Sequence, residues 1–168
     1  PPINPPAPTS QYSYKFSEIP LSGGQRTIYV PYINAGVILF SVGPLTVYTA
    51  LDSIAIPVPT DPNDPAYNTV YGSMELSFFP SGCMPALNQL TLNLSCVDFY
   101  GLSIYMNLHT NMPAPGLPND RPSGIYQSRH YTLCNLAKTL ATASPAARSQ
   151  WESLIIRSGE KILRVASP

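Results

Sequence analysis

Proline constrains this chain more than any other residue, because it occupies 20 of the 168 positions. A proline has no backbone N–H to donate, so it interrupts helices and is excluded from the central strands of a sheet. Four prolines interspersed with Asp61, Asn63 and Asp64 therefore predict a long surface loop over 56–67. Residues 1–20 are also rich in proline and predict an extended arm or linker.

The low charge of the chain limits the classes of function. Only 11% of the residues are charged and the formal net charge is zero, so the basic surface needed to bind nucleic-acid phosphates is missing. The longest apolar runs are far shorter than a membrane span. No cofactor or metal-binding motif is found. A neutral, turn-rich single domain is typical of exported proteins, and we expect secretion.

Alternating apolar and polar residues predict a mainly β fold. We expect strands over 27–30, 36–42, 45–51, 71–79, 91–100, 101–108 and 160–166. A Pro/Gly/Asn-rich stretch predicts a loop over 111–124. The predicted architecture is a β-sandwich or a barrel-like sheet.

Helical periodicity is confined to the last third of the chain. Apolar residues at helical spacing predict a helix over about 127–141. Ser144 and Pro145 are a good N-cap and first-turn pair, so they predict a second helix over about 145–157. The sheet therefore carries a small helical excursion near the C-terminus.

Two of the nine acidic residues lie centrally in predicted strands. Glu75 alternates with apolar neighbours and projects from the more polar face of its strand. Strict alternation over 91–100 places Asp98 on the apolar face, so Asp98 is either a buried carboxylate or is re-aimed by a β-bulge near 95–97. A Glu and an Asp are the right chemical pair for glycoside hydrolysis, whereas a solvated surface or an arginine partner is the ordinary role of a strand carboxylate.

The three cysteines cannot all pair within the chain. Cys83 and Cys96 either meet across a hairpin as a disulfide or remain small buried thiols.

Several short motifs follow one another along the chain. They are Asn4-Pro5-Pro6-Ala7-Pro8, Gly24-Gln25-Arg26-Thr27-Ile28, Asp61-Pro62-Asn63-Asp64-Pro65, Val97-Asp98-Phe99, Trp151-Glu152-Ser153-Leu154-Ile155 and Leu163-Arg164-Val165-Ala166-Ser167-Pro168. Their order over nearly the entire chain resembles glycoside hydrolase family 64, the laminaripentaose-producing β-1,3-glucanases of the thaumatin-like superfamily. The resemblance implies a thaumatin-like β domain with a wide groove for β-1,3-glucan and no cofactor.

The resemblance also implies roles for individual residues. The family's general acid matches Glu75 and its general base matches Asp98, which implies an inverting endo-β-1,3-glucanase. Ser77 and Ser95 stand where the family has sugar-contacting residues, and Thr91 stands at the position of a groove tryptophan.

Two further features bear on the function expected from the resemblance. The family's asparagine shortly after the acid is replaced by Phe79, so one hydrogen bond to sugar is lost. We expect 21–168 to be a thaumatin-like β domain. Because members of the family continue beyond the Ala-Ser-Pro ending, the chain is either a fragment of a longer two-domain protein, a processed piece or a minimal relative.

Two functions other than hydrolysis are consistent with the same residues. One is a non-catalytic glucan-binding module, favoured by Phe79 and Thr91. The other is a structural subunit of a larger assembly, in which the arm at 1–20 wraps a protein partner and is tethered to the domain at most by Tyr12, Tyr14 and Phe16.

Overall fold

The computed structural model describes residues 7–9, 13–30, 33–50, 53–79, 89–94, 96–111 and 115–167. The strands are β1 (Ala7–Thr9), β2 (Leu21–Ser22), β3 (Gln25–Arg26), β4 (Ile33–Val42), β5 (Val47–Ala50), β6 (Ser53–Ile54), β7 (Val70–Phe79), β8 (Gln89–Asn93), β9 (Phe99–Tyr100), β10 (Tyr105–His109), β11 (Asp120–Gly124), β12 (Ile155–Ser158) and β13 (Lys161–Ala166). The helices are α1 (Arg129–Thr142) and α2 (Pro145–Ser153). The mainly β fold with two C-terminal helices is confirmed, and over these described ranges no sheet closes into a barrel.

The two longest strands, β4 and β7, form an antiparallel central sheet with β8, in the order β4-β7-β8. The strands β4 and β7 are each ten residues long, because β4 extends the predicted strand 36–42 back to Ile33 and β7 extends the predicted strand 71–79 back to Val70. The register places Val37 of β4 and Asn93 of β8 on either side of Glu75 in β7. Glu75 therefore lies in the middle strand of the sheet, where its backbone is held from both sides.

A β-bulge bends β4 beside this position. The register shifts between Ile33 and Gly36, and Ala35 adopts a positive φ of 52°. That conformation costs a non-glycine residue about 1–2 kcal/mol. The Ala35 N–H donates to the Ser77 hydroxyl at 3.0 Å, which gives a bulged N–H the partner that the ladder no longer supplies.

A second three-stranded sheet, in the order β12-β13-β9, holds the C-terminal part of the domain. Within it, β13 pairs through Val165 and Ala166 with Tyr100 and Phe99 of β9. The short strands β1, β5 and β6 form a third sheet, and β2-β3 and β10-β11 are two-stranded hairpins. Part of the proline-rich arm is thus a strand of the domain, because β1 pairs with β5.

The hydrophobic core lies on both faces of β7 at the end where the strand begins. Successive side chains of a strand point to opposite faces, so Val70 and Tyr71 pack into different clusters. Tyr71 joins Leu45, Val47, Ala66 and Phe99. Val70 joins Ile156, Leu163 and Ala166. The beginning of β7 is therefore buried, while the strand opens to solvent further along, where Glu75 is exposed.

The buried Arg164 ties the proline-rich loop to β13. Its side chain is 0% exposed, and its guanidinium donates to the carbonyl oxygens of Pro59 at 2.7 Å and Thr69 at 2.9 Å, and also to those of Ala66 and Tyr67. The guanidinium carbon lies 4.7 Å from the centre of the Tyr71 ring. The loop predicted over 56–67 is confirmed as a series of turns, and Arg164 is the residue that fixes it.

Both helices begin at the serines that cap them. Ser128 accepts a hydrogen bond from the Tyr131 N–H and Ser144 accepts one from the Ala147 N–H. The start of α1 is anchored to the sheets because Arg129 donates to the carbonyl oxygens of Gly101 and Ile162, each at 2.6 Å. In the part of the chain that the structure describes, no helix is long and apolar enough to cross a membrane.

Besides the strand predicted over 91–100, four predicted elements differ from the structure, and in each case the presence or absence of a pairing strand decided. The residues 27–30 form no strand, and Ile28 and Tyr29 are exposed, since a β-branched sequence needs a neighbouring strand to pair with. The predicted strand 101–108 begins only at Tyr105, and the predicted loop 111–124 contains β11. Pro122 is tolerated there because β11 pairs on one side only.

The fourth difference is the end of the second helix. The helix predicted to reach 157 ends at Ser153, because the following residues pair with β13 as β12. The side chains expected to tether the arm also differ, since Tyr14 and Phe16 are exposed and Tyr12 lies outside the described residues.

Candidate active site

An open cleft beside the central sheet contains both candidate carboxylates. Its volume is about 280 Å³, and it is lined by Ser73, Glu75, Asn93, Val97, Asp98 and Phe99. The side chains of Glu75 and Asp98 are both exposed, so both carboxylates are accessible from solvent. The structure thus brings together two acidic residues that are 23 positions apart in the sequence.

Glu75 projects from the polar face of β7, as its alternation with apolar neighbours predicted. The residue directly across the strand pair is Asn93, at the end of β8. Opposite residues of an antiparallel pair lie close together on one face, and here the Asn93 amide nitrogen Nδ2 donates to Glu75 Oε2 at 3.1 Å. The Glu75 carboxylate is therefore held by a neutral hydrogen-bond donor.

Asp98 reaches the cleft because the strand predicted over 91–100 is broken. The first part, β8, ends at Asn93. The chain then leaves the central sheet and enters the β12-β13-β9 sheet as β9. Asp98 lies at the bend just before β9 and is exposed. It is therefore not the buried carboxylate that one of the two predictions described. The other prediction placed a β-bulge near 95–97. Asp98 instead reaches the cleft because the chain passes from the β4-β7-β8 sheet to the β12-β13-β9 sheet.

Three contacts hold the backbone at and just after Asp98, and two of them are with Tyr71 of β7. The Ser167 N–H donates to the Asp98 carbonyl oxygen at 2.9 Å. The next residue, Phe99, packs edge-on against Tyr71 with the ring centres 5.0 Å apart. Gly101 then lies so close to the Tyr71 carbonyl oxygen that a Cβ atom would overlap it. Because Tyr71 and Glu75 belong to the same strand, these contacts set the position of Asp98 relative to Glu75.

The predicted sugar-contacting residues extend the same polar face. Ser77 and Thr91 lie opposite each other across β7 and β8. They form the next pair on the same face of the sheet after Glu75 and Asn93. Thr91 is exposed, and the Ser77 hydroxyl accepts the hydrogen bond from Ala35. Neither residue lines the cleft itself. Ser95 lies outside the described residues. Cys83 does too, so the predicted pairing of Cys83 with Cys96 also falls outside them.

Four residues that line the cleft were not identified from the sequence. Ser73 and Asn93 could have been found from alternation, since they share the face of Glu75 once the register of β7 and β8 is known. Val97 and Phe99 flank Asp98, and no sequence signal distinguished them from core residues. Val97 is 66% exposed and offers the cleft an apolar surface.

Tyr71 and the β10-β11 hairpin carry ionisable groups that lie outside the cleft. Burial raises the pKa of Tyr71 to about 12. On the β10-β11 hairpin, His109 and Asp120 are 3.0 Å apart, and their hydrogen bond raises the pKa of His109 and lowers the pKa of Asp120. Both side chains of this pair are exposed, and neither lines the cleft.

A cleft that carries a Glu and an Asp beside a polar strand face fits a glycoside hydrolase. The family model described as the beta-1,3-glucanases of glycoside hydrolase family 64 matches residues 1–168. The chain belongs to this family. The glucanase is accordingly an enzyme that hydrolyses β-1,3-glucan. No curated protein and no solved structure matches the chain.

Replacing Gly101 by alanine is expected to destabilise the glucanase and lower its activity. The added methyl group overlaps the Tyr71 carbonyl oxygen, so β9 must shift away from β7. Overpacking of this kind costs about 1–3 kcal/mol in the free energy of unfolding, and the shift also displaces Asp98. Urea unfolding and the rate of laminarin hydrolysis measure the two effects.

Gly116→Ala is the matched control for this substitution. A methyl group at Gly116 meets nothing within 4 Å. Its positive φ of 79° adds only the backbone cost of a left-handed residue, about 1–2 kcal/mol. If Gly101→Ala kept full activity, the close approach of β9 to β7 would not be what positions Asp98.

Proposed function

We propose that this glucanase is a secreted endo-acting enzyme that inverts the configuration at the anomeric carbon, with Glu75 as general acid and Asp98 as general base. The observation that carries the proposal is the shared cleft, since both carboxylates line one open space and every other residue that the structure describes along it is uncharged. Inversion requires a sugar ring and one water between the two carboxyl groups, which are then about 6.5–9.5 Å apart.

The size of the cleft supports this mechanism. A volume of about 280 Å³ is many times the roughly 10–15 Å³ that a cavity needs to hold one water molecule. A sugar ring and an attacking water therefore fit in it together. In a retaining enzyme the second carboxylate must reach the anomeric carbon itself, and the two carboxyl groups are only about 5–5.5 Å apart.

The reaction is a single displacement. Glu75 in its protonated form gives its proton to the glycosidic oxygen as the bond from that oxygen to the anomeric carbon breaks. Asp98 takes a proton from a water molecule as that water attacks the opposite face of the same carbon. The products are a glucan with a new non-reducing end and a glucan whose new reducing end has the α configuration. Proton transfer through water then restores both carboxyl groups.

Exposure of the site supports cleavage within a polymer chain. The cleft is open, and the polar face of β7 and β8 continues past it through Ser77 and Thr91. A long glucan can lie along this face with sugar units on both sides of the scissile bond. Val97 offers an apolar surface to the C–H face of a sugar ring. Secretion is supported by the low charge content and by the substrate, because a glucan polymer is too large to cross a membrane.

The mechanism is tested by following the anomeric protons of newly formed ends by ¹H NMR during hydrolysis of laminarin. We expect the α-anomer to form first and the β-anomer to grow in as mutarotation proceeds. Initial formation of the β-anomer would demonstrate retention and remove the role of Asp98 as base. A fall in viscosity that runs ahead of reducing-end release would support endo cleavage, and parallel curves would exclude it.

A further inference from the structure

The Asn93 side chain is hydrogen-bonded to the Glu75 carboxylate, with Nδ2 3.1 Å from Oε2. The contact follows from the strand register, since Asn93 and Glu75 are directly opposed across β8 and β7. Asn93 is also the last residue of β8, immediately before the segment that carries the chain to Asp98. Asn93 therefore lines the same cleft as the two candidate catalytic residues.

The chemistry of this contact distinguishes the two oxygens of Glu75. An amide N–H can donate to a carboxylate oxygen or to the carbonyl oxygen of a protonated carboxyl group. Because Oε2 already accepts from Asn93, the proton of the acid form belongs on Oε1. After the proton has left, the same hydrogen bond becomes charge-assisted and stronger. The contact thus persists through the reaction and favours the form of Glu75 that proton donation produces.

We propose that Asn93 is a positioning residue that holds Glu75 by Oε2, directs its acidic proton to Oε1 and stabilises the carboxylate left after proton transfer. The inference rests on the proposed role of Glu75 as general acid. It assigns a function to a residue that the sequence did not single out for the site.

The charged surroundings of Glu75 make this role testable by pH. Among the described residues that line the cleft, Glu75 and Asp98 are the only ionisable ones, and β4 presents the apolar Val37 opposite Glu75. Loss of the Asn93 amide removes a donor that favours the carboxylate. An aspartate at this position adds a third negative charge, which opposes ionisation of Glu75 more strongly.

The test compares Asn93→Ala, Asn93→Asp and Asn93→Gln with the unaltered protein, using the pH dependence of kcat/KM on laminarin. We expect Asn93→Ala to lower kcat about tenfold, the loss that corresponds to one hydrogen bond to a charged group. Its alkaline limb should move to higher pH, because an acid that holds its proton more tightly remains protonated longer. Asn93→Asp should move the limb further, by about half a pH unit or more. Asn93→Gln keeps an amide and should restore most of the activity.

Asn107→Ala is the matched control, since Asn107 is an exposed asparagine whose Nδ2 donates to an aspartate, Asp120, on the hairpin outside the cleft. It should leave the pH profile unchanged. If the three Asn93 variants lose activity with an unmoved alkaline limb, Asn93 has only a structural role and the inference is overturned.

A second readout separates this inference from the proposed function. The Glu75 carboxyl carbon can be followed by ¹³C NMR as the pH is varied, without substrate. Its titration should move to higher pH in Asn93→Ala and further in Asn93→Asp, and an unmoved titration overturns the inference. Full activity of Glu75→Gln would instead remove Glu75 as the acid and overturn the catalytic role of Asn93, even where the NMR titration shows that the two side chains interact.

Discussion

Glu75→Gln and Asp98→Asn are each expected to lower kcat/KM on laminarin by about a hundredfold to ten-thousandfold, the usual contribution of a general acid or base. Both substitutions keep the size of the side chain and remove its ability to exchange a proton. The cleft and the sheet should stay intact, because both side chains are exposed and neither belongs to the core clusters. Thermal unfolding monitored by circular dichroism checks that the fold is preserved.

The two substitutions are distinguished by the leaving group. The aglycone of a dinitrophenyl β-1,3-linked oligosaccharide departs as dinitrophenolate and needs no proton. Glu75→Gln should therefore cleave this substrate far better than it cleaves laminarin. Asp98→Asn should stay impaired on both substrates, because water must still be activated. Glu160→Gln serves as the control, since Glu160 is an exposed carboxylate in the turn between β12 and β13. Undiminished laminarin hydrolysis by either cleft variant would remove that residue from the mechanism.

Arg164→Met is expected to have the largest effect on stability, lowering the free energy of unfolding by about 3 kcal/mol or more. Arg164 is fully buried and donates to the carbonyl oxygens of Pro59, Ala66, Tyr67 and Thr69. Methionine fills much of the same volume but donates no hydrogen bond. The Ala66 carbonyl keeps its hydrogen bond from the Thr69 N–H, and each of the other carbonyls that is left without a partner costs about 1–3 kcal/mol, although relaxation of the loop recovers part of this. Urea unfolding measures the difference.

The loss at Arg164 is large compared with the stability of a typical domain, about 5–15 kcal/mol. Arg164→Lys should recover only part of it, because one ammonium group cannot reach carbonyls on several sides as a planar guanidinium does. If Arg164→Met unfolded at the same urea concentration as the unaltered protein, the loop over 59–69 would not depend on the guanidinium.

Tyr71→Phe is the control for this site, since the Tyr71 ring lies against the guanidinium. Its hydroxyl is buried and has no hydrogen-bond partner among the described residues, so its removal should change the free energy of unfolding by less than about 1 kcal/mol. The variant should also unfold less readily in alkali. Burial raises the pKa of Tyr71 from 10.0 to about 12, so the folded chain holds this proton more tightly than the unfolded chain does. The stability that depends on this proton is complete below pH 10 and is lost as the pH rises through about 12.

The site could be predicted in part from the sequence. Alternation was sufficient to place Glu75 on a polar strand face, because the side-chain period of an extended strand is local. For Asp98 the same rule failed, since it assumes that a strand stays in one sheet. Asn93 was missed because a cross-strand neighbour is defined by register, and register depends on two segments at once.

Local chemistry in the sequence therefore determined the elements whose signals are contained within a few residues. These are the β4 and β7 strands, the proline-rich loop, and the helix starts at Ser128 and Ser144. The family, too, followed from the order of short motifs along the chain. Tertiary structure alone decided where β8 ends, why 155–158 leaves the helix for β13, and that Glu75 and Asp98 share a cleft. The physical reason is that hydrogen-bond partners of strands and the packing of Phe99 on Tyr71 are long-range contacts, and these outweigh the weak local preferences of the residues concerned.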